Sequence, residues 1–164
     1  MLVVVTGASG RIGQGVAAVL VAAGHSVRAV DVAKPAAPAA WAASERVTWQ
    51  LVDLSAEAAE AQLRGACEGA DALVHLAAVP DDAPFLERLL PVNIVGLYRV
   101  LEAAREAPSL RRVVVASSGK IYWGYGYGNK STDGLPLGSA APPKPVCLCA
   151  RPPLPPPPLP FTRL

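Results

Sequence analysis

The sequence predicts an α/β fold in which a doubly wound parallel sheet carries helices on both faces. Two observations support this class. Short β-branched runs alternate with segments whose apolar residues recur at helical spacing, and glycines mark the turns between them. Apolar residues make up 52% of the 164 residues and charged residues 17%, which is enough to bury a core. Successive crossovers of one hand then favour the strand order 3-2-1-4-5.

The first half of the chain contains two predicted strands and one helix. Leu2–Thr6 is an apolar run, typical of a central strand that is buried on both faces. A helix begins at Arg11 and stops at Gly24, and Ser26–Asp31 forms the second strand. Residues 33–44, rich in alanine and proline, are predicted as a loop. The apolar positions that define the predicted buried face of the helix are Ile12, Val16, Val19, Leu20 and Ala23.

The second half repeats this alternation. Val47–Val52 is the third predicted strand, followed by a helix over about 56–66 and a fourth strand at Ala72–Leu76. A helical stretch then runs to about Glu106, and Arg112–Ser117 forms the fifth strand. The apolar residues that give this stretch its helical spacing are Ile94, Leu97, Tyr98 and Leu101.

The regular pattern ends after Ser118. Residues 119–141 carry glycines and aromatics without a clear period, and residues 142–160 contain ten prolines, six of them within 152–158. Proline has no backbone N–H to donate, so a segment this rich in proline is expected to be extended or disordered.

Composition excludes several classes of function. The net charge of +2 and the scattered basic residues give no electrostatic footprint for nucleic acid. No apolar run approaches the roughly 18 residues that span a membrane. Cys67, Cys147 and Cys149 have neither a disulfide pattern nor zinc-ligand spacing, so no metal site is expected. The first strand begins at Leu2 with no leader before it, and we expect a cytoplasmic protein with free thiols.

A glycine motif, Gly7-x-x-Gly10-x-x-Gly13, follows the first strand and opens the first helix. Gly7 permits the tight turn, Gly10 lets the backbone approach a pyrophosphate, and Gly13 allows the helix to pack closely on the strand. The free N–H groups and the positive dipole end of the helix favour phosphate there. This order of elements predicts a Rossmann-type dinucleotide site. The other loop residues expected beside the cofactor are Ser9, Arg11 and Ile12, although a solvated first-turn arginine explains Arg11 almost equally well.

Two acidic residues at strand ends are candidates for binding the adenosine half. Asp31 ends the second strand, 24 residues after Gly7, where its carboxylate can accept both ribose hydroxyls and repel a 2′-phosphate. NAD is therefore favoured over NADP, the alternative being an ordinary aspartate at a strand-end turn. Asp53, followed by Leu54, is placed to bind the adenine amino group from the end of the third strand.

Five ordered motifs within residues 1–122 resemble the extended short-chain dehydrogenase/reductase family, the NAD-dependent epimerases and dehydratases. The segment from Asn93 to Tyr98, together with Ser117-Ser118, is similar to the uronate dehydrogenase-like branch of that family. The five motifs are Thr6-Gly7-Ala8-Ser9-Gly10-Arg11-Ile12-Gly13, Asp53-Leu54, Val74-His75-Leu76-Ala77-Ala78, Asn93-Ile94-Val95-Gly96 and Ala116-Ser117-Ser118.

The resemblance implies roles for residues along the sheet and a substrate of the sugar type. Leu76-Ala77-Ala78 would pack beside the cofactor ribose, and Asn93 would brace the helix beneath the active site. Ser118 would donate a hydrogen bond to the substrate oxygen, with Ser117 as the second choice. His75 is expected to be a packed core imidazole rather than an acid or base.

The family reaction also requires a tyrosine and a lysine four residues later, and no Tyr-x-x-x-Lys occurs in the chain. The resemblance implies that the tyrosine follows a segment like Pro145-Val146-Cys147-Leu148, so Cys149 stands where the tyrosine is expected and Pro153 where the lysine is expected. Tyr127 and Tyr125 lie three and five residues before Lys130 in a glycine-rich segment that makes a poor helix, and we reject them as the pair.

Two hypotheses follow, besides a third possibility in which the sequence is genuine and a noncanonical catalytic pair works. In the first, a frame shift or truncation has replaced the catalytic region, leaving a family fragment that binds NAD with little turnover and that associates or aggregates through uncovered apolar surface. In the second, the tail is genuine, and a nucleotide-binding regulatory module presents a polyproline segment to a partner protein. Either way, the predicted parts are the NAD-binding domain 1–122, an irregular remnant 123–148 and a proline-rich tail 149–164.

Overall fold

The structure is a computed structural model, and it describes residues 1–118 except Pro38 and Asp81. Met1–Ala116 forms one compact unit, and Ser117 begins a second. The strands are β1 (Leu2–Thr6), β2 (Ser26–Asp31), β3 (Val47–Leu51), β4 (Ala72–His75) and β5 (Arg112–Val115). The helices are α1 (Arg11–Ala22), α2 (Ala59–Cys67) and α3 (Leu97–Glu106), with a 3₁₀ turn at Ala40–Ala43 and a wide π-type helical segment at Phe85–Gly96.

The five strands form one parallel sheet in the order β3-β2-β1-β4-β5, so the predicted fold class and strand order are confirmed. Thr6, the last residue of β1, is in register with Val30 on one side and with His75 on the other. The carboxyl ends of the three central strands therefore meet at one edge. The connection from β1 to β2 crosses one face of the sheet and the connection from β3 to β4 crosses the other, so a crevice opens at this edge beside β1.

Strand β1 is buried on both faces because helices cover both sides of the sheet. Val3 and Val5 pack with Ala17 of α1 on one face, whereas Val4 packs on the other face with Leu63 of α2 and Val100 of α3. An apolar run without alternation is the pattern that such a two-sided environment selects.

The predicted buried face of α1 is correct at Val16 and Leu20, which pack against the core, and wrong at Ile12, Val19 and Ala23. Ile12 and Val19, which were expected to face the core, are 68% and 69% exposed. Gly13 and Ala17 face the sheet instead, with Leu20 partly buried beside them. A Cβ atom at Gly13 would overlap the carbonyl oxygen of Gly7, so the closest contact of the helix is made at a residue without a side chain.

The predicted helical stretch before β5 is present, as the π-type segment followed by α3. Its apolar spacing is real, but Ile94, Tyr98 and Leu101 are exposed. Two smaller residues of α3, Ala103 and Ala104, pack on the core, together with Val100. As in α1, the small residues of the helix make the close contacts.

Other differences are local. The predicted loop 33–44 contains a 3₁₀ turn whose Trp41 packs on Trp49 with ring centroids 5.8 Å apart. Strand β5 ends at Val115 rather than at Ser117. In the ranges 1–37, 39–80 and 82–118, no helix is long and apolar enough to cross a membrane. The predicted boundaries at 122 and 148 and the proline-rich tail lie outside the described residues.

Candidate functional site

The glycine loop brings the end of β1, the start of α1 and the segment after β4 into close contact. Gly7 has a positive φ of +72°, and a Cβ atom there would lie 2.6 Å from the backbone nitrogen of Ala77. At Gly13 a Cβ atom would overlap the carbonyl oxygen of Gly7 and lie 2.8 Å from the Cα atom of Ala8. Neither position can take a side chain unless the backbone moves.

The N-terminus of α1 is left open by its sequence. Gly10 is the N-cap residue, with φ −70° and ψ 163°, and it has no side chain to cap the helix. The first turn contains no acidic residue, and its first residue is Arg11. The free N–H groups of this turn therefore have no side-chain cap, and the positive end of the helix dipole favours an anion beside them.

The carboxylate of Asp31 is fixed by two backbone amides. Its Oδ2 accepts a hydrogen bond from the N–H of Ser9 at 2.8 Å, and its Oδ1 accepts one from the N–H of Val32 at 2.7 Å. The hydroxyl of Ser9 donates to the carbonyl of Ala33. Each carboxylate oxygen keeps further acceptor capacity, so Asp31 can accept hydroxyl groups from a ligand without giving up these contacts.

Asp53 is held ionised just beyond the end of β3. Its Oδ1 accepts hydrogen bonds from the hydroxyl of Ser55 at 2.6 Å and from the Ser55 N–H at 2.9 Å. These two bonds lower the pKa of Asp53, the hydroxyl most strongly, and the positive charge of Arg88 lowers it further. The carboxylate can therefore accept hydrogen bonds from a ligand throughout the neutral pH range.

The segment after β4 is anchored by an amide side chain. Asn93 Oδ1 accepts a hydrogen bond from the N–H of Val79 at 2.8 Å, and Asn93 Nδ2 donates to the Val79 carbonyl at 3.1 Å. This paired contact fixes the backbone that follows Leu76-Ala77-Ala78. Asn93 therefore acts on this segment by holding its backbone.

His75 is a core residue, as its strand position predicts. It is only 6% exposed, and its Nδ1 lies 2.7 Å from the hydroxyl oxygen of Thr6. Burial lowers the pKa of His75, which keeps the imidazole neutral near neutral pH.

These elements surround a cleft of about 790 Å³ at the carboxyl edge of the sheet, within the size range of ligand sites. Arg11, Ile12, Gly13 and Asn93 do not line it. The predicted residues that do line it are Gly7, Ser9, Gly10, Asp31, Asp53, Leu54, Leu76, Ala77 and Ala78. The lining residues that the sequence reasoning missed are Thr6, Val30, Val32, Ala33, Lys34, Val52, Ser55, Val79, Pro80, Glu87, Arg88 and Val92.

The catalytic candidates follow the compact unit Met1–Ala116 in the sequence. Ser117 and Ser118 are exposed residues that follow β5 and belong to the second unit, so their role stays a prediction. Cys149 and Pro153 lie outside the described residues. In the part of the chain that the structure describes, no group of three or more His, Cys, Asp or Glu side chains could hold a metal ion.

A parallel sheet in the order 3-2-1-4-5, a glycine loop that opens α1 and an aspartate that closes β2 define a dinucleotide-binding protein of the Rossmann type. Residues 3–143 match the model of the NAD dependent epimerase/dehydratase family. The chain belongs to this family, as the resemblance of its motifs predicted.

The relatives that this chain matches include uronate dehydrogenases. A uronate dehydrogenase from Pseudomonas putida is 34% identical over 113 residues, which cover 69% of this chain and 39% of that protein. The crystal structure of uronate dehydrogenase from Agrobacterium tumefaciens matches with a TM-score of 0.70 at 30% identity, covering 91% of this chain and 50% of that one. A mutant of the same enzyme has been crystallised in complex with NAD. The chain spans about 39% of the length of the Pseudomonas relative.

Proposed function

We propose that this chain binds NAD in the cleft and is the nucleotide-binding part of a dehydrogenase or epimerase for sugar-type substrates. In this proposal the pyrophosphate lies against the open N-terminus of α1, and the adenine ribose lies at Asp31. The observation that carries the proposal is the hydrogen bond between Asp31 and the N–H of Ser9, because it places the ribose acceptor directly beside the phosphate-binding loop.

Asp31 also supports the preference for NAD over NADP. Both of its oxygens already accept backbone N–H groups, so the carboxylate cannot swing away from a ligand without losing two hydrogen bonds. A 2′-phosphate would then sit against a fixed negative charge. Lys34 lines the same cleft, and its positive charge acts in the opposite sense.

Turnover by these 164 residues is proposed to be low or absent. The sequence contains no Tyr-x-x-x-Lys pair to exchange a proton with the substrate. His75 cannot replace the pair, because it is buried and its Nδ1 is engaged with Thr6. The residues proposed to hold the pyrophosphate and the adenine ribose do not include that pair, so cofactor binding is expected to persist.

A calorimetric titration with NAD and NADP tests the proposal. The chain should bind NAD more tightly than NADP, and Asp31→Ala should weaken NAD binding by about tenfold or more, as expected for hydrogen bonds to a charged group. Asp71→Ala is the matched control. Asp71 also accepts a backbone N–H, from Leu2 at 2.8 Å, but at the opposite edge of the sheet. Tighter binding of NADP by the unmodified chain would contradict the proposal.

A further inference from the structure

Ser9, in the centre of the glycine loop, is held by three separate groups through its backbone and its side chain. Its N–H donates to Asp31 at 2.8 Å, and its hydroxyl donates to the carbonyl of Ala33. Its carbonyl oxygen accepts a hydrogen bond from Nε2 of Gln14 at 2.9 Å. All the polar atoms of this residue are therefore engaged, although the loop around it is rich in glycine.

The bond from Gln14 is the one that bears on the phosphate-binding peptide. The Ser9 carbonyl belongs to the peptide group that joins Ser9 to Gly10, and a peptide group is planar. Fixing this oxygen fixes the direction of the Gly10 N–H, which donates to Gly7 at 3.1 Å. The backbone N–H of Gln14 donates to the Gly10 carbonyl at 2.9 Å, so Gln14 holds the carbonyl oxygens of two successive peptide groups, Ser9–Gly10 and Gly10–Arg11.

We infer that Gln14 is a positioning residue for the phosphate-binding loop. Its side-chain amide holds the Ser9–Gly10 peptide in the orientation that presents the start of α1 to a pyrophosphate. This inference rests on the proposed binding of NAD. Without the amide, the Ser9–Gly10 peptide keeps the bond from the Gly10 N–H to Gly7 but loses the bond that holds its oxygen. A glycine beside it adds conformational freedom, and ordering the peptide on binding would cost affinity.

Gln14 is a better subject for a test than Asp31. Asp31 is charged and is itself proposed to contact the ribose. Its removal therefore changes the charge of the cleft and the ribose contact together with the contact to the loop. Gln14 is neutral and half-buried, and it is not among the residues that line the cleft. An effect of Gln14 on binding must therefore pass through the loop.

The test compares Gln14→Leu with Gln62→Leu, in titrations with NAD, ADP and adenosine. Gln62 lies exposed on α2 and provides the same chemical change away from the cleft. Gln14→Leu should lower the affinity for NAD and for ADP by about threefold to tenfold, the loss typical of one hydrogen bond. The affinity for adenosine should stay unchanged. Unchanged NAD affinity, or an equal loss for adenosine, would overturn the inference.

A spectroscopic measurement on the ligand-free chain separates this inference from the proposed function. The Gly10 amide resonance should shift, and its hydrogen exchange should accelerate, in Gln14→Leu but not in Gln62→Leu. If the unmodified chain fails to bind NAD and ADP, the proposed function is wrong, whereas the Gly10 amide still reports whether Gln14 orders the loop. An unaltered Gly10 amide in a folded Gln14→Leu variant would refute the positioning role.

Discussion

The hydroxyl oxygen of Thr6 and Nδ1 of His75 lie 2.7 Å apart in the buried region where β1 and β4 end side by side. The N–H groups of Leu76 and Ala77 point at the same hydroxyl oxygen, at 3.3 and 3.4 Å. In the neutral imidazole Nδ1 can accept the hydroxyl proton, which is the arrangement that leaves the hydroxyl oxygen to accept these N–H groups. A protonated ring would lose this acceptor and would place a charge in the core.

From the burial of His75 beside Thr6 we expect the free energy of unfolding to fall on acidification. Burial lowers the pKa of His75 below its ordinary value of 6.5, so the unfolded chain takes up this proton at higher pH than the folded chain. The contribution of neutral His75 to the free energy of unfolding is complete above about pH 6.5. Below that pH it declines, by up to about 1.4 kcal/mol per pH unit. Urea unfolding at several pH values should show this slope, reduced in His75→Gln and retained in His25→Gln. An identical slope in His75→Gln would rule out this origin.

The contact between α1 and the glycine loop predicts opposite effects for two glycines of one helix. Gly13→Ala should lower the free energy of unfolding by about 2 kcal/mol, because the new methyl group meets the backbone of Gly7 and Ala8. Gly15→Ala should raise it by roughly 0.5–1 kcal/mol, because nothing lies within 4 Å of a Cβ atom there. Denaturant unfolding measures both. Equal effects at the two positions would mean that the close packing at Gly13 is incorrect.

We expect copies of this chain to associate through the exposed valines of strand β5. Val113, Val114 and Val115 are 38%, 49% and 42% exposed, and β5 is the last strand on its side of the described sheet. An exposed apolar strand at a sheet edge promotes association. Val114→Lys should shift the mass measured by light scattering towards that of a single chain. The control, Val19→Lys, changes an exposed valine on α1 and should leave the mass unaltered. A monomeric parent chain would contradict this prediction.

The sheet and half of the cleft follow from the sequence because they depend on periodic patterns. Buried parallel strands such as Leu2–Thr6 are continuous apolar runs, and the glycine motif with Asp31 fixes where β1 and β2 end. The faces of the helices were harder to predict. Hydrophobicity alone favours Ile12 and Val19 for the core, whereas the narrow space beside the sheet admits Gly13 and Ala17.

The remainder of the site depends on how loops fold back, which periodicity does not describe. Arg88 lies 35 positions from Asp53, yet its charge acts on that carboxylate. The contacts of Gln14 with Ser9 and of Asn93 with Val79 likewise join a side chain to one particular backbone group. The sequence shows that a side-chain amide can both donate and accept hydrogen bonds, but it does not show which backbone group the amide will contact.

The most direct test of NAD binding at the glycine loop is a parallel titration of the unmodified chain, Gly10→Val and Gly15→Val with NAD. The branched side chain at position 10 would occupy the space that the pyrophosphate needs, whereas position 15 faces open space. The unmodified chain and Gly15→Val should bind NAD, and a folded Gly10→Val should show no binding. Undiminished affinity in a folded Gly10→Val, or no binding by the unmodified chain, would contradict the assignment of this cleft as the NAD site.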